Sequence, residues 1–217
     1  MNPSPTLLLF GFEPFDGWPL NPSWEAIVPL HGKRIAGHRV VARQLPVAFG
    51  ESLKLMRAAI GEVSPALVVC VGLASGRDLI SLERVAINVD DARIPDNLGR
   101  QPVDQAVIAA GPPAYFTTLP IKSMLAGLQT AGFPVEISQT AGTYVCNHVF
   151  YGLMHALRSR RRVRAGFIHV PASPQQVADN PQRGGVCIET VTAALRLALR
   201  IAINTGEDQR LAAGAEY

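Results

Sequence analysis

The run Ala66-Leu-Val-Val-Cys-Val71 carries no polar side chain at any position. A strand that is apolar throughout has to be covered on both faces, the situation of a strand inside a sheet with helices above and below. Two further runs share the pattern: Thr6 to Phe10, and Ala165-Gly-Phe-Ile-His-Val170, which Pro171 ends. Arg39 to Leu45, Leu82 to Val89 and Pro134 to Ile137 read as additional strands. Between them, apolar residues recur at helical spacing over Gly50 to Ile60, Pro120 to Gln129, Val145 to Leu157 and Val186 to Asn204. Asn21-Pro-Ser-Trp-Glu25 opens another helix, with Asn21 suited to the N-cap and Pro22 to the first turn. The section before Leu119 reads as irregular, and Pro174 to Gly185 as a loop. This alternation predicts an α/β fold: a three-layer α/β/α sandwich with a mixed, mostly parallel sheet between helical layers.

At 217 residues with 48% hydrophobic content, the chain is expected to form one domain, 1–217, with about 206–217 as a frayed tail. No apolar run approaches the ~20 residues that span a bilayer, so no membrane partner is expected. Leu7-Leu-Leu-Phe10 lacks a preceding basic residue and is soon broken by Gly11, so it reads as a strand rather than a signal segment. Three widely spaced cysteines without a CxxC pair argue against a disulfide framework or a zinc site. They suit a reducing, cytoplasmic setting. The net charge is +3, and the densest basic run, Arg158 to Arg164, falls at a helix end where cations complement the dipole. No aromatic platform is interleaved with it, so no nucleic-acid partner is expected.

In open α/β sheets, sites gather beyond the carboxyl ends of the strands. The loops 11–17, 72–77, 90–97 and 138–145 all leave predicted strands, and His169 ends its own. The stretch Ser138-Gln-Thr-Ala-Gly-Thr-Tyr-Val-Cys-Asn-His148 is a strand-to-helix turn that puts Cys146 in the first turn of a helix. Unpaired N–H groups and the dipole there favour a thiolate and could hold an oxyanion. A free cysteine is just as commonly a small buried hydrophobe, and both readings stand at this point. A nucleophilic thiol needs a base, for which His31, His38, His148, His155 and His169 are the candidates. His148, two positions on from Cys146, points to another helix face. A carboxylate to orient the base could be Glu83, Asp90 or Asp91, and spacing does not choose among them.

Several motifs in order carry a resemblance. Gly11-Phe-Glu-Pro-Phe-Asp-Gly17 with Asn21-Pro-Ser23, Glu83-Arg-Val-Ala-Ile-Asn88 with Asp91-Ala-Arg-Ile-Pro-Asp-Asn97, Ser138-Gln-Thr-Ala-Gly142 with Cys146-Asn-His148, and Phe167-Ile-His-Val-Pro171 together resemble the type I pyroglutamyl peptidases. The resemblance covers about residues 6 to 200. It implies a phosphorylase/hydrolase-like α/β/α sandwich and a cysteine peptidase that removes an N-terminal pyroglutamyl residue from small peptides through a thioester. It implies Cys146 as nucleophile, His169 as base and acid, Glu83 as the group that orients His169, and Arg93 near the oxyanion. The implied pocket positions are Phe12, Phe15, Leu73, Ile94 and Val145. Their apolar character suits a flat, neutral lactam. No metal or cofactor is implied, and the family's habit of forming homo-oligomers implies a dimer or tetramer.

One departure is visible. The family pattern after the 66–71 strand commonly reads Gly-Gln-Ala-Gly-Gly-Arg, whereas this chain has Gly72-Leu-Ala-Ser-Gly-Arg77. A glutamine amide there could contact the lactam and Leu73 cannot, which bears on ring affinity. The alternatives are a nucleoside phosphorylase on a similar fold and a non-catalytic lactam-binding member of the family.

Overall fold

The computed structural model describes residues 4–180 and 185–214. Part of the predicted 174–185 loop and the last three residues of the predicted tail lie outside the described residues. The all-apolar run becomes β4 (Leu67–Leu73), buried at every position. It lies in a seven-stranded sheet with β1 (Thr6–Phe12), β2 (Arg34–Ile35), β3 (His38–Leu45), β5 (Ile80–Glu83), β8 (Val135–Ser138) and β9 (Arg164–Val170). The order is β2-β3-β1-β4-β9-β5-β8. β3, β1, β4 and β9 run parallel, as do β5 and β8. β2 against β3 and β5 against β9 are antiparallel. The sheet is therefore mixed and mostly parallel, as predicted.

Successive side chains of a strand point to opposite faces, and the core divides accordingly. Leu7, Leu9, Val69, Val71, Ile168 and Val170 face α1 (Pro22–Ile27), α3 (Ile121–Thr130) and α5 (Ile188–Asn204). Leu8, Phe10, Val68, Cys70 and Phe167 face α2 (Glu51–Val63) and α4 (Val145–Leu157). Each of the larger side chains contributes roughly 1.5–3 kcal/mol by leaving water. Cys70 is fully buried, and burial drives its thiol well above the ordinary range, with Cys146 adding to the effect. It is core, as its strand position predicts.

The predicted strand Leu82 to Val89 is two strands. β5 ends at Glu83, and Arg84 N–H donates to Ser138 O at 2.9 Å. β6 (Val85–Ile87) then leaves the sheet to pair with β7 (Ala114–Phe116), which lies in the section read as irregular. Buried Asn147 on α4 holds the diverted segment, accepting from Ile87 N–H and donating to Ile87 O and Val89 O. Proline also sits one place earlier than predicted in α3, since Pro120 is the N-cap residue. Asn21 caps α1 as expected, its side chain accepting from Ser23 N–H at 3.1 Å.

Candidate active site

α4 begins beside the carboxyl ends of β4 and β9, with Cys146 Sγ over Gly72. Gly142, with φ 77°, takes the left-handed conformation that a glycine adopts without strain, and turns the chain out of β8. Thr143 then locks the turn to the 90–97 loop: Asp91 N–H donates to Thr143 O at 2.9 Å, and Thr143 Oγ1 donates to Asp91 O at 2.7 Å. Tyr144 hydroxyl donates to Pro95 O at 3.0 Å. Cys146 is thus fixed in the first turn of α4, where N–H groups lack intrahelical acceptors.

The thiol lies against the sheet. A Cβ added at Gly72 would stand 2.8 Å from Cys146 Sγ and 2.7 Å from Phe167 Cζ, so only glycine leaves room for sulfur at that point. Gly72 is in register with His169 of β9. Paired residues of neighbouring strands point the same way, which puts the imidazole on the face that Cys146 covers. Across the next strand pair, Ser81 matches His169, and Glu83, two residues on, shares that face. His169 Nδ1 and Glu83 Oε1 are 2.7 Å apart, both side chains almost wholly buried. Since a carboxylate only accepts, Nδ1 carries the proton and Nε2 is left as the base. Arg77 Nη1 donates to the same Oε1 at 2.6 Å, and its Nη2 to Thr140 O at 2.7 Å.

The electrostatics correct one expectation. A helix N-terminus was expected to lower the thiol's pKa, but burial pushes Cys146 up to about 12. The Glu83 carboxylate adds to the rise and the Arg77 guanidinium opposes it. Desolvation disfavours the thiolate more than the dipole and one partly exposed cation favour it.

A cavity of about 260 Å³ lies next to this group, lined by Leu73 and Tyr144, the chain neighbours of Gly72 and Val145, but not by Cys146, His169 or Glu83 themselves. All the loops singled out by the sequence contribute: Phe15 and Asp16, Leu73 and Ser75, Asp91, Arg93 and Ile94, and Thr143 and Tyr144, with Trp18 at the side. Phe15, Leu73 and Ile94, three of the expected pocket positions, line it, as does Arg93, which the resemblance places near the oxyanion. Phe12 and Val145 do not: both are buried in the core beneath, Phe12 with its ring 6.3 Å from that of Phe167. Arg77 escaped the sequence reading, although its place in the exit loop of β4 was a signal for it. The other histidines are occupied elsewhere. His148 pairs with Asp90 at 2.7 Å and accepts from Gly50 N–H at 2.9 Å. His155 meets Tyr115 hydroxyl, His31 accepts from Ala42 N–H, and His38 contacts Ala36 O. Asp90 is thereby spent on His148. Among the described residues no group of histidine, cysteine and acidic side chains could hold a metal ion, and no helix is long and apolar enough to cross a membrane.

A thiol packed over Gly72, with the His169–Glu83 pair on the same face of an α/β/α sandwich, fits the class of cysteine hydrolases. The comparison with known proteins narrows the class. The family model for pyroglutamyl peptidase matches residues 6–205, and the chain belongs to that family. It is 54% identical over 211 residues to the pyrrolidone-carboxylate peptidase of Erwinia tasmaniensis, covering 97% of this chain and 99% of that one. It is 53% identical to the Yersinia pestis protein of the same name, with the same coverage. The crystal structure of pyroglutamyl peptidase I from Bacillus amyloliquefaciens superposes with a TM-score of 0.93 at 42% identity, covering 96% of this chain and 100% of that one. A mutant pyrrolidone carboxyl peptidase from Pyrococcus furiosus gives 0.88 at 37%, covering 91% and 98%. Neither a phosphorylase nor a non-catalytic lactam binder is supported by these likenesses.

Proposed function

We propose that the chain hydrolyses the amide bond after an N-terminal pyroglutamyl residue, with Cys146 as nucleophile, His169 as general base and acid, and Glu83 as the group that orients the imidazole. The observation that carries this reading is the buried His169–Glu83 pair, with His169 in register with Gly72, the glycine over which the sulfur packs. His169 Nε2 takes the Cys146 proton as sulfur attacks the substrate carbonyl carbon. The oxyanion is held by first-turn N–H groups of α4, with Arg93 in the same cavity adding positive charge. The C–N bond breaks, the leaving nitrogen receives the proton from His169, and a thioester remains. Water, losing a proton to His169, cleaves the thioester and releases the pyroglutamyl acid and the thiol. Glu83, held by Arg77, keeps Nδ1 as the protonated nitrogen throughout.

Phe15, Leu73 and Ile94 supply apolar walls for a neutral lactam. Arg93 and Asp91 stand in the same cavity, and no carboxylate is required to meet a substrate ammonium, because the lactam has none. The test is release of a fluorogenic amine from a pyroglutamyl amide in reducing buffer. Wild type should release it, and Cys146→Ala, which removes only sulfur, should be folded and inactive. Turnover by folded Cys146→Ala would remove the thiol from the mechanism.

A further inference from the structure

Among the described residues two histidines meet a buried carboxylate at 2.7 Å, and the mechanism uses only His169. The other is His148, on α4 two residues beyond Cys146, with Asp90 as its partner. Both side chains of this second pair are more than nine-tenths buried. A carboxylate only accepts and a backbone N–H only donates, so His148 Nδ1 carries the proton toward Asp90 and Nε2 accepts from Gly50 N–H at 2.9 Å. The imidazole therefore joins three stretches of chain: α4, the start of the 90–97 loop, and Gly50, the N-cap residue of α2. Asp90 Oδ1 is buried without a hydrogen-bond partner among the described residues.

The loop that Asp90 opens forms one wall of the substrate cavity, through Asp91, Arg93 and Ile94. This wall is tied at both ends. Asp91 exchanges two hydrogen bonds with Thr143, and Tyr144 hydroxyl donates to Pro95 O. Just outside those ties, Asp90 meets His148, and Asp96 Oδ2 accepts from Phe49 N–H at 2.8 Å. The Phe49 ring stands edge-on to both Tyr144 and His148, with centroids 5.4 and 5.2 Å away. The Arg93 guanidinium has no hydrogen bond or ion pair among the described residues. Where its charge stands is set by the backbone of the loop that carries it.

Resting on the peptidase reading, we infer that His148 and Asp90 are positioning residues for the hydrolysis, a clasp that places Arg93 at the cavity. Neither of the two lines the cavity, so both act through the loop. The clasp grips α4 two residues beyond Cys146, and the same helix start thereby sets both the thiol and the loop that bears the guanidinium. A buried pair with one oxygen unsatisfied is a poor source of stability. Its contribution is geometric, since a displacement of about 1 Å in a group that meets the reacting atoms can slow a reaction about a hundredfold.

The experiment measures kcat/KM for a fluorogenic pyroglutamyl amide in wild type, Asp90→Ala, Asp90→Asn and Arg93→Gln, and in the variants that combine Arg93→Gln with each change at Asp90. Asp90→Ala should lower kcat/KM about tenfold. Asp90→Asn, whose amide oxygen still accepts from His148 Nδ1–H, should recover most of that loss. In the Arg93→Gln background Asp90→Ala should cost no more than about twofold, because the clasp then has no guanidinium to place. A loss of the same size in both backgrounds, or an Asp90→Ala enzyme as active as wild type, would overturn the positioning role with the peptidase reading intact. Circular dichroism checks the fold. Should Asp90→Ala not fold, His148→Phe, which keeps a ring and loses both hydrogen bonds, takes its place under the same criterion. No turnover by wild type would instead bring down the peptidase reading, and the clasp with it.

Discussion

Cys146 shows how a side chain's neighbourhood can outweigh its position along a helix. The first turn of α4 favours a thiolate, yet sulfur is packed over Gly72 and beside Phe167, and burial pushes the thiol's pKa up to about 12. The sign has a direct consequence. Below that value the thiolate fraction of the free enzyme is small and grows about tenfold with each pH unit. Iodoacetamide alkylation, followed on the Cys146 peptide, should therefore keep rising between about pH 7 and 10. A plateau within that interval would show that the thiol ionises in the ordinary range or below, as a preformed thiolate would. At this scale the sequence held the identities of the reacting groups but not their pairing. Asp90 and Asp91 were as eligible as Glu83 by spacing. Only the diversion of the chain at Arg84 puts Glu83 on the imidazole and sends Asp90 to His148.

Elements were legible wherever their apolar pattern was strong. α4 begins and ends at the predicted residues, and β3, β4, β8 and β9 fall within a residue or two of expectation. β6 and β7 were not legible, because a three-residue ribbon held by one asparagine on another element has no period of its own. The stretch after α5 makes the same point. Asp208 lies in the stretch expected to fray, yet its carboxylate accepts from Lys122 N–H at 3.0 Å and from Ser123 N–H at 2.8 Å, serving the start of α3 from a distance. Burial pushes this carboxyl's pKa up, but the hydrogen bonds from Lys122, Ser123 and Gln209 together outweigh it and leave the pKa lowered. A carboxyl lowered on folding stabilises the fold above its unfolded pKa, and that contribution is lost as pH falls through the folded value. Asp208→Ala should cost about 1 kcal/mol near neutral pH by loss of the cap. In denaturant titrations the gap from wild type should close as the pH falls through the lowered folded-state pKa. A gap that is the same at both ends would mean that the carboxylate's charge contributes nothing.

For the whole molecule, the two helical layers share one sheet, and alternate residues of β1, β4 and β9 belong to both cores. Losing either layer exposes the strands that support the other, so thermal unfolding should be a single transition with calorimetric and van't Hoff enthalpies in agreement. Two resolved transitions would contradict that coupling. The division between sequence and fold follows from the range of the forces involved. Apolar periodicity and turn chemistry are local, and they alone determined the α/β alternation, the covered strands and the placing of a cysteine at a helix start. The ordered motifs added the family. Strand register, the glycine beneath the sulfur, the Arg77–Glu83–His169 chain and the burial that sets the thiol's proton affinity join residues far apart in the chain. These were decided only by the tertiary structure, because hydrogen-bond geometry and desolvation depend on what lies next to a group in space.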